Sequence, residues 1–234
     1  MKIAGIASVL MMVPAAAAAQ DFAGGLEGGL GQNAVLIFVA LTALSLAPAL
    51  AIMVTAFPFI VTVLSILRQS IGLQQAPPNM LIVSLAIFLT WFIMDPVLRD
   101  AWDLAGRPLQ EGRIGLAEAF ELGIDPFRRF MEARMDPATH AAMSEIAPGG
   151  LDDPDRLSVL IPSFMLSEIQ RAFQIGFLIA LPFLIIDLVV AAVLMSMGMM
   201  MIPPVVVSLP FKLAFFVAVD GWGMIASALV RSYQ

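Results

Sequence analysis

The stretch Met195-Ser196-Met197-Gly198-Met199-Met200-Met201-Ile202-Pro203-Pro204 holds five methionines within seven residues and ends in two prolines. It lies inside a 40-residue run, residues 172–211, in which Asp187 is the only charged residue. As one helix this run would be about 60 Å long, roughly twice the hydrocarbon core of a bilayer. Proline lacks a backbone donor and clashes with the preceding helical turn. We therefore predict that the run folds back at Gly198 and at the Pro203-Pro204 pair, which places the methionines at the tip of a helical hairpin.

Three interpretations of this methionine cluster are open, because the flexible, polarizable thioether suits several environments. The first is a packed or lipid-facing apolar turn. The second is a Cu(I) site at Met195, Met197 and Met199, which is disfavoured because the chain has no cysteine and a single histidine, His140. The third is a deformable apolar gasket that closes a pore by dewetting. A gasket needs several copies of the chain, since one tip cannot encircle a pore.

The composition indicates an integral membrane protein, and the hydrophobic blocks described below predict an all-α fold. Of the 234 residues, 60% are hydrophobic and 13% are charged, whereas soluble domains average about 25% charged residues. The net charge of −6 argues against a nucleic-acid partner. The chain offers no phosphate-binding glycine loop and no catalytic spacing of carboxylates or histidine, so we predict that it is not an enzyme and holds no cofactor or metal.

The N-terminal residues have the pattern of a secretory signal peptide. Lys2 precedes a short apolar run, and alanines at positions 15–19 end it, which predicts cleavage between Ala19 and Gln20. An uncleaved anchor is the alternative. Residues 20–33 are rich in glycine and predict a flexible lead-in.

Four hydrophobic blocks predict two broken helical hairpins, residues 34–98 and 162–234, around a polar segment, residues 99–161. The first block, residues 34–67, carries no charge and would be about 51 Å long as one helix. Pro48 and Pro58 can break it, and we expect a span or half-hairpin up to about Pro48 and then a second helix to Arg68. A cleaved signal peptide would place Arg68 in the cytoplasm and the polar segment outside, in agreement with the weak preference of cations for the cytoplasmic side.

The polar segment predicts short solvated helices. Three Asp-Pro pairs, Asp125-Pro126, Asp136-Pro137 and Asp153-Pro154, each place an N-cap residue before proline at the first helical position. Ser163, which follows Pro162, is a further candidate N-cap.

Asp187 lies deep in an apolar helix, where a carboxylate needs a partner or water. If the chain turns near residue 200, Asp187 is about 13 residues before the turn and Lys212 about 12 residues after it, so their depths agree within a few Å. We predict that the two side chains form an ion pair, either within one hairpin or between neighbouring copies. A proton-relay role for Asp187 is the alternative.

Several segments together carry a family likeness. They are Ile66-Leu67-Arg68-Gln69-Ser70-Ile71-Gly72-Leu73-Gln74-Gln75-Ala76-Pro77-Pro78-Asn79, residues 173–190, residues 195–211 and Asp220-Gly221-Trp222. The chain resembles the FliP/SctR family of export-gate proteins from bacterial type III secretion systems. The signal peptide and the Met-Ile-Pro-Pro sequence resemble its flagellar branch more than its injectisome branch.

This resemblance implies a ring of about five copies in the inner membrane, within the flagellar basal body. The ring would assemble with FliQ-like and FliR-like subunits and other export components, pass unfolded proteins through its centre, and place the polar segment in the periplasm. The resemblance also implies pairing of Asp187 with Lys212 between subunits. It assigns the gasket to Met195, Met197, Met199, Met200 and Met201. A small membrane transporter or a Cu(I)-handling membrane protein is the alternative function.

Overall fold

The structure, a computed structural model, describes residues 31–72, 77–148, 156–199 and 201–233. The signal peptide with its cleavage site at Ala19 and Gln20, most of the lead-in, Asp153-Pro154 and Met200 lie outside the described residues. In the described part of the chain every regular element is a helix, which confirms the all-α fold class. The chain divides into two compact units, Met1–Leu50 and Ala51–Gln234. Apart from the course of the first helix, everything described below lies in the second unit.

Nine α-helices are described. They are α1 Gly31–Met53, α2 Phe57–Ile71, α3 Asn79–Ala101, α4 Arg107–Gln110, α5 Leu116–Arg134, α6 Pro137–Ile146, α7 Leu157–Ser196, α8 Pro204–Ala218 and α9 Gly221–Arg231. A π-helical turn, Trp102–Gly106, joins α3 to α4, so that these elements form one continuous 32-residue helix, Asn79–Gln110.

Two helices among the described residues are long and apolar enough to cross a membrane, Asn79–Gln110 and Leu157–Ser196. Helices α8 and α9 meet at a bend of 61° and together could make a third crossing. Asp220 lies at this bend in the left-handed region, with φ 47°. These apolar helices identify the chain as an integral membrane protein.

Helix α2 is the centre of the main hydrophobic core. Its buried residues recur every three or four positions, the spacing that places side chains along one helical stripe. They are Phe59, Ile60, Val63, Leu64, Leu67 and Ile71. Helices α3 and α7 pack against α2, and its 15 residues span about 22 Å, less than a bilayer core. Helix α2 is therefore a buried element of the bundle.

A close approach between α2 and α7 depends on Gly176. A Cβ atom at this position would lie 2.5 Å from Ile66 Cδ1, far inside van der Waals contact. The hydrogen of glycine therefore allows the Ile66 side chain to lie against the backbone of α7.

The first hydrophobic block breaks at residues 54–56. Pro58 lies in the first turn of α2, where a missing backbone N–H has no effect on helical hydrogen bonds. The expectation of a break at Pro48 was wrong, because residue 48 lies inside α1.

Three predicted helix starts lie within the described residues. The predictions at Asp125-Pro126 and at Ser163 were wrong, and the one at Asp136 is confirmed. Asp125-Pro126 lies inside α5, which begins at Leu116, and Pro162-Ser163 lies inside α7, which begins at Leu157. Ser163 therefore caps no helix, and its hydroxyl donates to the Val159 carbonyl at 2.7 Å. Asp136 does cap α6, since its Oδ2 accepts from the Thr139 N–H at 2.9 Å. An internal proline removes only one helical hydrogen bond, and packing of the flanking turns can offset that loss.

The polar segment packs onto both long helices. Helix α5 contacts α3, the π-helical turn and α7, while α6 lies along α7. A second apolar cluster of Val54, Met131, Leu160 and Phe164 lies beneath α5. The ends of the long helices, at residues 110 and 157, lie inside the segment predicted as polar.

Candidate functional site

The methionine-rich stretch forms the turn between α7 and α8. Gly198 has φ 73°, and two hydrogen bonds end α7: Gly198 N donates to Met195 O at 3.1 Å, and Met199 N donates to Leu194 O at 2.9 Å. These two bonds define a Schellman motif, which requires a left-handed residue at the position of Gly198. After the turn, Pro203 precedes the first residue of α8, Pro204.

The methionines that the structure describes in this turn are exposed. Met195, Met197, Met199 and Met201 have between 42% and 97% of their surface accessible. Met199 and Met197 also line an apolar groove of about 570 Å³ between α7 and α8, together with residues such as Val193, Val207 and Phe211. A contiguous exposed apolar surface of this kind indicates a contact with protein or lipid.

An ion pair joins the two arms of the hairpin below the tip. Lys212 Nζ lies 2.6 Å from Asp187 Oδ2, and the Lys212 side chain is 4% exposed while that of Asp187 is 28% exposed. Lys212 Nζ also donates to the Ser70 carbonyl of α2 at 3.1 Å. The second oxygen of Asp187 accepts from the Ser208 hydroxyl. The structure therefore brings Asp187 and Lys212 together within one chain and connects them to the buried core helix.

A second buried charge, Glu168 on α7, is one that the sequence did not single out. Its side chain has no exposed surface, and its Oε1 lies 3.2 Å from Arg134 Nε and 3.3 Å from Arg171 Nη1. Its other oxygen accepts from the Tyr233 hydroxyl. The i,i+3 spacing of Glu168 and Arg171 is the one signal in the sequence that favours an ion pair between these two residues. No spacing rule connects Arg134 or Tyr233 with Glu168, because they lie 34 and 65 residues away.

Tyr233 fixes the C-terminal end of the described chain in this site. Its ring stacks on Phe130 with centroids 5.9 Å apart, and the Arg134 guanidinium carbon lies 3.9 Å from its centroid. The edge of the Phe59 ring completes the packing at 5.5 Å. Burial, followed by the charge and the hydrogen bond of Glu168, raises the pKa of the Tyr233 phenol well above its ordinary value.

Asp136 is the second group outside the apolar helices with a shifted acidity. The Thr139 hydroxyl and then the Thr139 backbone N–H donate to its carboxylate and lower its pKa.

The described ranges contain no candidate metal site, since no group of three or more His, Cys, Asp or Glu residues that could hold a metal ion comes together there.

Comparison with known proteins gives a consistent result. The family model described as FliP family matches residues 40–229. The Flagellar biosynthetic protein FliP of Caulobacter vibrioides is 47% identical over 238 residues, which cover 99% of this chain and 89% of the relative. The proteins of the same name from Agrobacterium fabrum and Bacillus subtilis are 43% and 44% identical, and the alignments cover 97% and 86% of this chain and 97% and 93% of the relatives.

Proposed function

The chain belongs to the FliP family, and on this premise we propose that it is the pore-forming subunit of the flagellar type III protein-export gate. In this proposal about five copies surround a central channel, together with FliQ-like and FliR-like subunits. Unfolded substrate proteins pass through the channel, and other components of the export apparatus supply sorting and driving force. The FliP family is structural and not enzymatic, in agreement with the absence of a catalytic spacing in the sequence.

The observation that carries this proposal is the exposure of the described methionines at the turn between α7 and α8. The Schellman motif at Gly198 ends α7 at the start of the turn, while the side chains of Met195, Met197, Met199 and Met201 stay largely uncovered within the chain. Thioether side chains adapt to many shapes. Such a tip, repeated around an axis, would close against ions by dewetting and still yield to a polypeptide.

The Asp187–Lys212 pair supports the tip mechanically in this proposal. It joins α7 to α8 and, through Ser70, to α2. Because α2 is the buried helix of the core, a force on the tip is transmitted to the bundle and does not simply separate the hairpin arms. The pair therefore acts within the chain, and a proton-relay role is not needed to explain an intramembrane carboxylate that already has a cation beside it.

The same proposal places the protein in the inner membrane, within the flagellar basal body, with the polar segment in the periplasm. Support comes from the helices Asn79–Gln110 and Leu157–Ser196, which are long enough to cross the bilayer. Both continue into the polar segment, so that α5 and α6 pack directly on the ends of the membrane helices.

The mass of the purified membrane complex tests this function. The full chain is expressed alone and with its FliQ-like and FliR-like neighbours, and native mass spectrometry counts the copies. We expect about five copies that capture both partners. A monomer or dimer that binds neither partner would contradict the proposal, because a single tip cannot surround a channel.

A further inference from the structure

The methionines of this chain differ in their exposure. Five of them lie within residues 195–201, and we call these five the tip methionines. The four that the structure describes are between 42% and 97% exposed, and Met201 is the most open. A Cβ atom added at Gly198 would meet no atom within 4 Å beyond its chain neighbours. By contrast, Met94 and Met131 are 1% and 0% exposed. Within one chain a small reagent therefore reaches the thioethers of the tip and not those of the core.

The thioether sulfur is a target for peroxides in this chain. The chain has no cysteine, so no thiol of its own competes for the oxidant. Hydrogen peroxide transfers one oxygen atom to the sulfur: the O–O bond breaks and an S–O bond forms. The sulfur loses two electrons, and the other oxygen takes the proton of the transferred hydroxyl and leaves as water. Methionine sulfoxide reductases reverse the reaction, since two thiols supply the electrons and the oxygen leaves as water.

Sulfoxide formation changes the property on which the proposed constriction depends. A hydrophobic constriction excludes water and ions by dewetting only while its wall is apolar. Each sulfoxide replaces an apolar thioether by a polar group, whose oxygen accepts hydrogen bonds from water. The tip concentrates this effect, because five thioethers within seven residues would be repeated in every copy around the channel. Partial oxidation of the cluster is therefore enough to let water enter.

We propose that the tip methionines are a reversible oxidation site, at which peroxide converts the closed gate into a leaky one. The effect on the leak rests on the proposed function, whereas the selective oxidation of the tip depends only on the exposure of its thioethers. Met94 and Met131 take no part, because their oxidation requires local opening of the core. Leucine would make an equally apolar tip but has no sulfur. Methionine thus gives the seal a sensitivity to oxidants that an aliphatic side chain lacks.

The first measurement locates the sulfoxides. The purified complex of the full chain is treated with hydrogen peroxide, quenched with free methionine, digested, and mapped by mass spectrometry for oxygen added at each methionine. We expect the tip methionines to be oxidised at least about tenfold faster than Met94 and Met131, which react only when the core opens. Equal rates at the tip and in the core, or a tip that stays reduced, would overturn the site whatever the function of the protein.

The second measurement is the leak current of the same complex in planar bilayers, before and after peroxide. The wild-type current should rise several-fold, and methionine sulfoxide reductases for both epimers with dithiothreitol should return it to its starting value. A variant with leucine at all five tip positions should show no rise above its own untreated current. The matched control, Met80→Leu with Met224→Leu, removes two exposed methionines elsewhere and should respond to peroxide as the wild type does.

The outcomes separate the oxidation site from the function. Sulfoxides at the tip without a rise in current would overturn the switch, and so would a rise that persists in the leucine variant or a complex that dissociates on oxidation. The copy number and an alanine variant of the tip test the function without any oxidant. If that alanine variant leaks while peroxide has no effect, the gate stands and the oxidation proposal fails. If the alanine variant is tight, the constriction fails and the switch fails with it.

Discussion

Lys212 Nζ lies 2.6 Å from Asp187 Oδ2, and this contact crosses the hairpin whose tip carries the methionines. Lys212 follows the first residue of α8 by eight positions, and Asp187 precedes the last residue of α7 by nine. At 1.5 Å per residue both lie about 12–14 Å below the turn. The pair therefore sets the register of the two arms within one chain.

Removal of one partner of this pair should destabilise the protein strongly. We expect Asp187→Ala and Lys212→Ala each to cost about 3 kcal/mol, because each leaves a charge in an apolar bundle without its counterion. Thermal unfolding of the purified complex, together with flagellar export in cells, measures the effect. The double alanine variant should cost less than the sum of the two, since it leaves no unpaired charge.

The charge swap Asp187→Lys with Lys212→Asp should restore only part of this stability. A carboxylate at position 212 would face the Ser70 carbonyl, which now accepts from Lys212, and two acceptors repel. The exposed pair Asp125–Arg129, at 3.0 Å, is the control, and its removal should cost less than about 1 kcal/mol. Strictly additive losses at positions 187 and 212 would count against pairing.

Tyr233 should resist ionisation in the folded protein. It is the only tyrosine in the chain, so the near-ultraviolet absorbance of phenolate reports on this residue alone. Its pKa is raised above the ordinary 10.0. A raised pKa contributes stability in full below about pH 10, and this contribution is lost at higher pH, where the unfolded chain ionises first. We expect no phenolate signal at pH 10.5 until the protein unfolds.

Glu168→Gln is the matched variant for this titration. It keeps the shape of the side chain but removes the negative charge that opposes the phenolate, so the pKa of Tyr233 should fall towards its ordinary value while burial still holds it above. A folded wild type that titrates near pH 10 would show that neither the burial of Tyr233 nor its contact with Glu168 persists in solution.

Gly176→Ala should destabilise the crossing of α2 and α7 by about 1–3 kcal/mol, because a Cβ would lie 2.5 Å from Ile66 Cδ1. Combining it with Ile66→Ala removes the clashing atoms, so the double variant should be less unstable than the sum of the single variants. Thermal unfolding measures the cycle. Additive losses would show that Ile66 does not lie against Gly176.

Asp136→Ala should lower the melting temperature at neutral pH, because it removes the cap that accepts from the Thr139 N–H. The pKa of Asp136 is lowered from 3.8, so its contribution is present above about pH 4 and is lost as the pH falls through the folded pKa. Asp136→Asn should keep much of the cap and lose this pH dependence. A difference between wild type and Asp136→Ala that persists in strong acid would contradict the assignment.

The hairpin and its ion pair could be predicted from the sequence because residues 172–211 form a long apolar run that holds a single charge, Asp187. One charge in a long apolar run demands a partner, and the glycine and proline positions limit where the chain turns. In residues 34–67 the break at residues 54–56 lies just before Pro58, one of the two prolines that predicted it, whereas the burial of α2 could not be predicted because the block carries no charge. Their apolar residues fit a lipid-facing helix and a buried helix equally well.

The Glu168 site shows a different limit. Arg134, Glu168 and Tyr233 come from α5, α7 and the C-terminal end, and only the packed bundle brings them together. Residues that are typical of a helix start can also lie inside a helix when tertiary packing favours it. Pro126 in α5 and Ser163 in α7 are examples, since both are buried inside helices that begin earlier. The assignment of the gasket to individual methionines remains a prediction.

The most direct test of the proposed constriction is the ion conductance of the assembled gate in planar bilayers. Changing Met199, Met200 and Met201 together to alanine shortens the apolar side chains, and we predict a large rise in leak current while the complex still assembles. The control changes the same three residues to leucine, which keeps the apolar volume, so the gate should stay nearly closed; a Cu(I) site would instead lose its thioether ligands and its function. An alanine variant as tight as the wild type would contradict the account.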